Sequence, residues 1–541
     1  MAWAPGLLLC AALAACSGED GGPAATSGQA RKTIHVQAAL LNEVWTPPPW
    51  SHRNDGHWPQ WWFIYDRLVE NNQQYEAEHP NLARSWEVSP DELSYTFHLR
   101  DDVRWHDGLP FTARDVETTF LFILDPYLNS PAFTSQLMTL EGLEEYRAGR
   151  AEDIAGIQVI DDHTIRFSLA RPVPFFLYNI ALTSILPRHQ LEVVGESSKV
   201  EGHALWRDPG ALGTGPFRLA ETVPFQFVRL TPYEDYHMGA PKIGEVIIHA
   251  KETALAASNG ELDLGAATPS AAAEIARMPH MEIHALPTSH ITSLTVNVSA
   301  PALRDVRVRR ALLHAIDRLT IAETMFGAYG EVEVPDAVMP AVTWRRNDLA
   351  PVPYDPQKAR QLLGAAGWDP GTELEIFMRD IDMAGIRLDI ATIVQGYWKE
   401  VGVEAKVVPV EAAVTTDILL KGEFDFYMGG WAGVVPVSML RFRSDSPTPA
   451  AFGYSNPEVD AIAARIDTTF DRAQLRLLYD EMQKQVWEDA AFFPILNTMV
   501  LRAKSKRLKI VPRVANLHFP IGTWWHLWDV VEQGPPEATS R

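Results

Sequence analysis

The stretch 374–428 constrains the fold most, because apolar strands and amphipathic helices alternate through it without a break. LEIFM (374–378) reads as a strand, 384–401 as a helix, VEAKVVPV (403–410) as a strand, 411–421 as a helix and FDFYM (424–428) as a strand. Strands separated by helices of that length predict a parallel sheet. Ligands of such sheets sit beyond the carboxyl ends of the strands. The last strand runs there into Gly429, Gly430 and Trp431, followed by Ala432 and Gly433. Chain direction alone therefore makes GGWAG a binding candidate.

The earlier region has a different texture. In LSYTFHLR, Leu93, Tyr95, Phe97 and Leu99 share one face of a strand, and HTIRFSLAR repeats the alternation with Ile165, Phe167 and Leu169. Between them, Asp107-Gly108 predicts a turn, and Thr112 with Asp115 predicts a capping box for a helix carrying Val116, Phe120, Ile123 and Leu124. WHDGLPFT invites a metal reading, but one His-Asp pair supplies too few ligands; a turn and a helix cap account for it. Further on, DVRVRRALLHAIDR places Val308, Leu312, Ala315 and Ile316 on one helical face. Asp317 and Arg318 at its end are expected to be local charge partners. In YDPQKARQLLGAAGW, Asp355 caps a helix, Pro356 fits its first turn and Gly367 ends it.

At 541 residues the chain predicts two or three domains. Its net charge of -22 argues against nucleic acid as a partner. Leu7 to Ala15 match a signal h-region and are too short to span a bilayer. Leu13-Ala14-Ala15-Cys16 resembles a lipoprotein processing site, so residues 1–15 are expected to be removed and Cys16 lipidated, although no Lys or Arg precedes the apolar run. Both cysteines, Cys10 and Cys16, fall in this segment. A processed chain then has no disulfide, thiolate metal site or cysteine nucleophile. Residues 16–31 read as the lipidated cysteine and a flexible tether.

The order of these segments resembles the peptide/nickel-type extracellular solute-binding proteins, family 5, of bacterial ABC importers. LARSWEVSPDELSYTFHLRDDVRWHDGLPFTARDVETTFLFILDP carries most of the likeness, followed by GTGPFRL, GELDLG, DVRVRRALLHAIDR, YDPQKARQLLGAAGW, GEFDFYMGGW and FGYSNPEVDAI. The resemblance implies an α/β, two-lobed periplasmic binding protein fold (type II, cluster C-like) with an extra inserted subdomain. Lobe I would comprise 32–65, 205–287 and 495–535, the inserted subdomain 66–204, and lobe II 288–494. It implies a monomeric receptor in the cell envelope, lipid-anchored in the periplasm, that encloses a peptide or related small solute and delivers it to permease and ATPase subunits. No cofactor and no metal are implied.

Ligand candidates fall in three places. LNEVWTPPPWSHRNDGHWPQWWFIYDRL (41–68) carries Trp45, His57, Trp61 and Trp62, whose rings suit stacking on flat solutes or on cations. His52 and His57 also admit a metal-chelate reading. Gly430 and Trp431 mark the end of FDFYM. Asn297, at the exit of LTVNV, faces the cleft by the same resemblance; as a bare sequence signal it reads equally well as a turn residue. Peptide-binding members place an acid a few residues after the Gly-Trp pair to meet the ligand's ammonium. Here that position falls at Val434, and an ammonium against valine would be left unpaired. Glu43, Asp55 or Glu411 would have to replace the acid, or the solute is an oligosaccharide or another molecule without a free amine. A secreted hydrolase is the alternative from another class, yet no nucleophile elbow, metal triad or phosphate loop supports it. A receptor-like scaffold that has lost transport is the third reading.

Overall fold

The computed structural model describes residues 31–37, 63–71, 77–127, 139–173, 176–194, 210–223, 226–249, 251–336, 338–339, 344–346, 348–380, 386–431, 436–446, 453–469, 471–510 and 529–530. Cys16, Trp45, His57, Trp61, Trp62 and Val434 lie outside the described residues, as do the candidate acids Glu43 and Asp55.

Strand β1 (Thr33–Gln37) opens the largest sheet. The chain then builds β2 (Val69–Asn71), β3 (Ala77–Pro80), β4 (Ala83–Val88), β5 (Ser94–Leu99), β6 (Ile157–Asp161) and β7 (Thr164–Ser168) apart from it. It returns with β8 (Phe217–Val223), β9 (Phe227–Pro232), β10 (Glu245–His249) and β11 (Leu264–Ala267). The long β12 (Met281–Val296) follows, then β13 (Glu373–Arg379), β14 (Glu404–Val410), β15 (Phe426–Trp431) and a second long strand, β16 (Phe492–Ser505). The ten strands lie in the order β14-β13-β15-β12-β16-β11-β1-β10-β9-β8.

This order contains two parallel groups. β13 pairs parallel with β14 throughout and with β15 at Phe377–Tyr427, as the alternation over 374–428 predicts. On the far side, β1 runs parallel to both β10 and β11. The two groups are joined by β12 and β16, which pair antiparallel from Met281–Ser505 to Thr295–Phe492. Their register slips between Pro287 and Ile291, and again between Thr292 and Ser293. A slip costs ladder hydrogen bonds and bends the strand locally. The join is therefore the least regular part of the sheet.

The apolar faces read from the sequence are the buried ones. Tyr95, Phe97, Leu99, Ile165, Phe167 and Leu169 line one core together with Ile34, Val36 and Phe63. Val308, Leu312, Ala315 and Ile316 enter a second, with Ile376, Trp398 and Phe426. Trp398 also donates its indole N–H to the Leu312 carbonyl at 3.0 Å, so its polar atom is satisfied inside that core. Burying a ring of this size contributes about 2–3 kcal/mol. A third core forms around Trp344, Tyr479 and Trp487. The expected caps are present: Asp115 Oδ2 accepts the Thr112 N–H, and Asp355 Oδ1 accepts the Lys358 N–H. Gly367, at φ 72°, closes the helix Pro356–Ala366 in the left-handed region that favours glycine.

One local expectation is corrected. Asp317 and Arg318 do not pair with each other. Asp317 caps the helix Arg318–Phe326 through the Thr320 N–H, while the buried Arg318 reaches Asp336 at 2.7 Å and the carbonyls of Pro335, Val352 and Pro494. The side chains leave the helix end in different directions, so neighbours in sequence serve separate segments.

Three motifs interlock beside the first core. Gly213 and Gly215 of GTGP lie flat on the Ile64 backbone, where a Cβ on Gly213 would stand 1.7 Å from the Ile64 carbonyl oxygen. Gly215 donates its N–H to that carbonyl at 2.8 Å. The WHDG turn approaches from the other side. His106 Nε2 donates to the Gly215 carbonyl at 2.8 Å, and its Nδ1 accepts the Gly213 N–H at 3.2 Å. Both ring nitrogens are thus occupied by one loop, and this histidine braces the fold.

Candidate solute-binding edge

The candidate edge begins where β15 ends. Phe426 and Met428 point into the second core, which puts Tyr427 and Gly429 on the opposite face, and Tyr427 packs on Phe377 with ring centroids 4.8 Å apart. A Cβ on Gly429 would stand 2.4 Å from the Tyr427 ring, so glycine lets that ring lie along the strand. Gly430 is exposed and pairs with Thr292 of β12; Trp431 closes the strand opposite Ile291. The carboxyl end of β15 therefore abuts the slipped register of β12 and β16.

Basic side chains gather at this edge. Arg387, in the first turn of the helix Ile386–Glu400, lays its guanidinium against Gly430, where a Cβ would meet Nη2 at 2.1 Å. The His290 Nδ1 lies 3.7 Å from the same point. Arg379 ends β13 two residues past the Phe377–Tyr427 pair, level with Gly429. Arg441 lies in the short helix Pro436–Phe442 near Tyr427; burial lowers its pKa to about 10, so it remains charged at neutral pH. None of these was singled out from the sequence. The available signal was an arginine beside the apolar face Ile386, Ile390 and Val394, where a core helix would carry another aliphatic residue.

One acid stands at the same edge: Asp380 follows Arg379, level with Gly430, and donates its backbone N–H to the Val410 carbonyl at 2.9 Å. Two others stand farther off. Asp425, at the amino end of β15, accepts the Glu375 N–H at 2.9 Å, and burial raises its pKa. Glu411 is exposed at the start of the helix Ala412–Lys421. The side-chain atoms that stand against Gly430 itself are those of Arg387 and His290.

Asn297 lies at the opposite end of β15 from Trp431. Its amide donates to the carbonyls of Gly422 and Phe424 at 3.0 and 2.7 Å, and its Oδ1 accepts from the Ser299 N–H and hydroxyl. The expectation that it faces the cleft is replaced by a brace on the loop entering β15. The reason is topological: β12 runs antiparallel to β15, so its exit adjoins the entrance of β15.

The geometry describes a class: two α/β halves, each with a parallel group of strands, joined by a pair of long shared strands beside a glycine-rich edge. That is the two-lobed fold of the type II periplasmic binding proteins. Residues 78–445 match the model for the bacterial extracellular solute-binding proteins, family 5. The chain belongs to that family. It is 27% identical to the heme-binding protein A of Haemophilus influenzae, over 82% of this chain and 84% of that one. It is 29% identical to the dipeptide-binding protein of Escherichia coli, over 68% of this chain and 70% of that one. In three dimensions it matches the ABC transporter substrate-binding protein CtaP of Listeria monocytogenes with a TM-score of 0.78 at 24% identity, covering 93% of this chain and 100% of that one. The DppA protein of Helicobacter pylori, solved with the peptide STSA, matches at a TM-score of 0.75 and 21% identity, over 93% and 99% of the two chains. The chain is accordingly a periplasmic solute-binding component of an ABC importer. Among its described residues no helix is long and apolar enough to cross a membrane.

Proposed function

We propose that this receptor captures a peptide or related small solute between two lobes and presents it, closed, to permease and ATPase subunits, without making or breaking a bond. Lobe I comprises 32–65, 205–287 and 495–535, the inserted subdomain 66–204 and lobe II 288–494. The supporting observation is that, among the described residues, β12 and β16 join the two parallel groups, and that their register slips beside the Gly430 edge. A few strand residues that absorb backbone change are what hinge closure needs. The dipeptide-binding and peptide-transport names of several relatives favour a peptide. In this reading Trp431, Trp45, Trp61, Trp62 and His57 are the side chains that contact the solute. Lipidation at Cys16 and the tether to residue 31 hold the monomer near the membrane.

A second reading is favoured by Arg387 at Gly430 and by Val434 where an acid is expected. By the family pattern Val434 offers no carboxylate to a free ammonium, and Arg387 adds a positive charge beside Gly430. The solute then has no amine at that end, as in a blocked peptide or a sugar derivative. Isothermal titration against dipeptides, oligopeptides, N-acetylated peptides and oligosaccharides separates the readings. Tight binding of free-amine peptides that survives Trp431→Ala contradicts this account of the pocket, and turnover of any solute contradicts a receptor.

A further inference from the structure

The candidate edge leaves Arg502 unexplained. It lies on β16, paired with Ala266 of β11 and with His284 of β12. Only 9% of it is exposed: its Nε is buried without a hydrogen bond, its two Nη atoms reach the surface, and no partner to its guanidinium stands among the described residues. Burial alone draws its pKa down to about 10; no carboxylate acts on it, and it stays charged at neutral pH. Glu282, the acid on the same face of β12, is already held by Lys504 and by His284. A buried cation without a counter-charge is costly, and such a group in a native structure asks for a missing partner.

Its place says where that partner comes from. β1 and β11 are parallel and end together, for the side chain of Gln37, the last residue of β1, accepts the Ala266 N–H at 3.2 Å. Arg502 therefore stands at the carboxyl edge of one parallel group, as Gly430 and Arg387 stand at the carboxyl edge of the other. Directly paired residues share a face of the sheet. The His284 side chain on that face is 47% exposed, so the face reaches solvent beside Arg502.

We infer that Arg502 is the anion-holding group of the cleft, and that the solute carries a carboxylate which pairs with it when the lobes close. The inference rests on the solute-receptor reading above. A carboxylate offers two acceptor oxygens that match the guanidinium fork. It can belong to a peptide terminus or to a sugar acid, and the test separates the two.

The full chain, stripped of bound solute by partial unfolding and refolding, is melted as wild type, Arg502→Met and Arg502→Lys. Each is then titrated with two matched pairs: N-acetyl-trialanine against its C-terminal amide, and galacturonic acid against galactose. Stripped Arg502→Met is expected to melt at or above wild type, because it loses an unpaired buried charge. The acid of one pair is expected to bind wild type while its neutral twin does not. Its affinity should fall about tenfold to a hundredfold in Arg502→Met and less in Arg502→Lys. Three results overturn the inference: stripped Arg502→Met melting well below wild type, equal binding of acid and neutral twin, or undiminished binding of the acid by Arg502→Met. Failure of the receptor reading looks different. No solute then binds any variant, and the melting of the stripped variants still decides whether the fold itself satisfies Arg502.

Discussion

His106 holds Gly215 by its carbonyl at 2.8 Å while accepting the Gly213 N–H, so one imidazole spans the loop that packs on Ile64. Removing it leaves a buried donor and a buried acceptor unpaired. His106→Ala is expected to cost about 2–4 kcal/mol in urea unfolding, with no change in solute affinity measured at a temperature where the variant is folded.

Burial of the same ring sets a pH dependence. Burial draws the His106 pKa from 6.5 down to about 4, so the folded chain keeps it neutral where the unfolded chain protonates it. The stability it contributes is complete above pH 6.5 and is lost as pH falls from 6.5 through 4, by about 3 kcal/mol in all. The His249 ring, whose Nε2 lies 2.8 Å from the His35 Nδ1, titrates in the same direction. Unfolding midpoints followed from pH 7.5 to 4.5 should drop for wild type, and His106→Gln should show a shallower slope.

Glycine positions of unlike surroundings should behave oppositely. Gly213→Ala drives a methyl into backbone that cannot move and should destabilise by about 3 kcal/mol or more. Gly364→Ala, within the helix Pro356–Ala366 and with nothing within 4 Å, should stabilise by about 0.5–1 kcal/mol. Thermal melting of the two variants tests both signs at once.

Gly430→Ala meets a side-chain end, the Arg387 guanidinium, which can swing away. Stability should change by less than about 1 kcal/mol, while solute affinity falls through the displaced cation. Asn297→Ala should do the reverse. It removes two donors from the Gly422 and Phe424 carbonyls, which should cost about 1–3 kcal/mol and leave affinity unchanged. Calorimetry and urea unfolding on the pair separate a binding edge from a brace.

What the sequence showed and what it hid follow one physical line. Alternation along Tyr95, Phe97 and Leu99, the cap at Asp355 and the strand-helix run over 374–428 are local signals, and the structure has each of them. The roles of Arg387, Arg502 and Asn297 depend on pairings between strands far apart in the chain. Ala266 and Arg502 are neighbours in space across more than two hundred residues of sequence. Asn297 shows the cost of lacking that information. A strand exit beside β15 lies near Trp431 only if the two strands are parallel, and β12 is antiparallel. Nothing within LTVNVSAP reveals which.

The most direct test of the central claim is small-angle X-ray scattering of the stripped chain, repeated with the tightest-binding solute of the calorimetric panel. Closure about β12 and β16 predicts a smaller radius of gyration on saturation, and a return to the stripped value when the solute is removed. Saturation by calorimetry with an unchanged radius of gyration would contradict capture between two lobes.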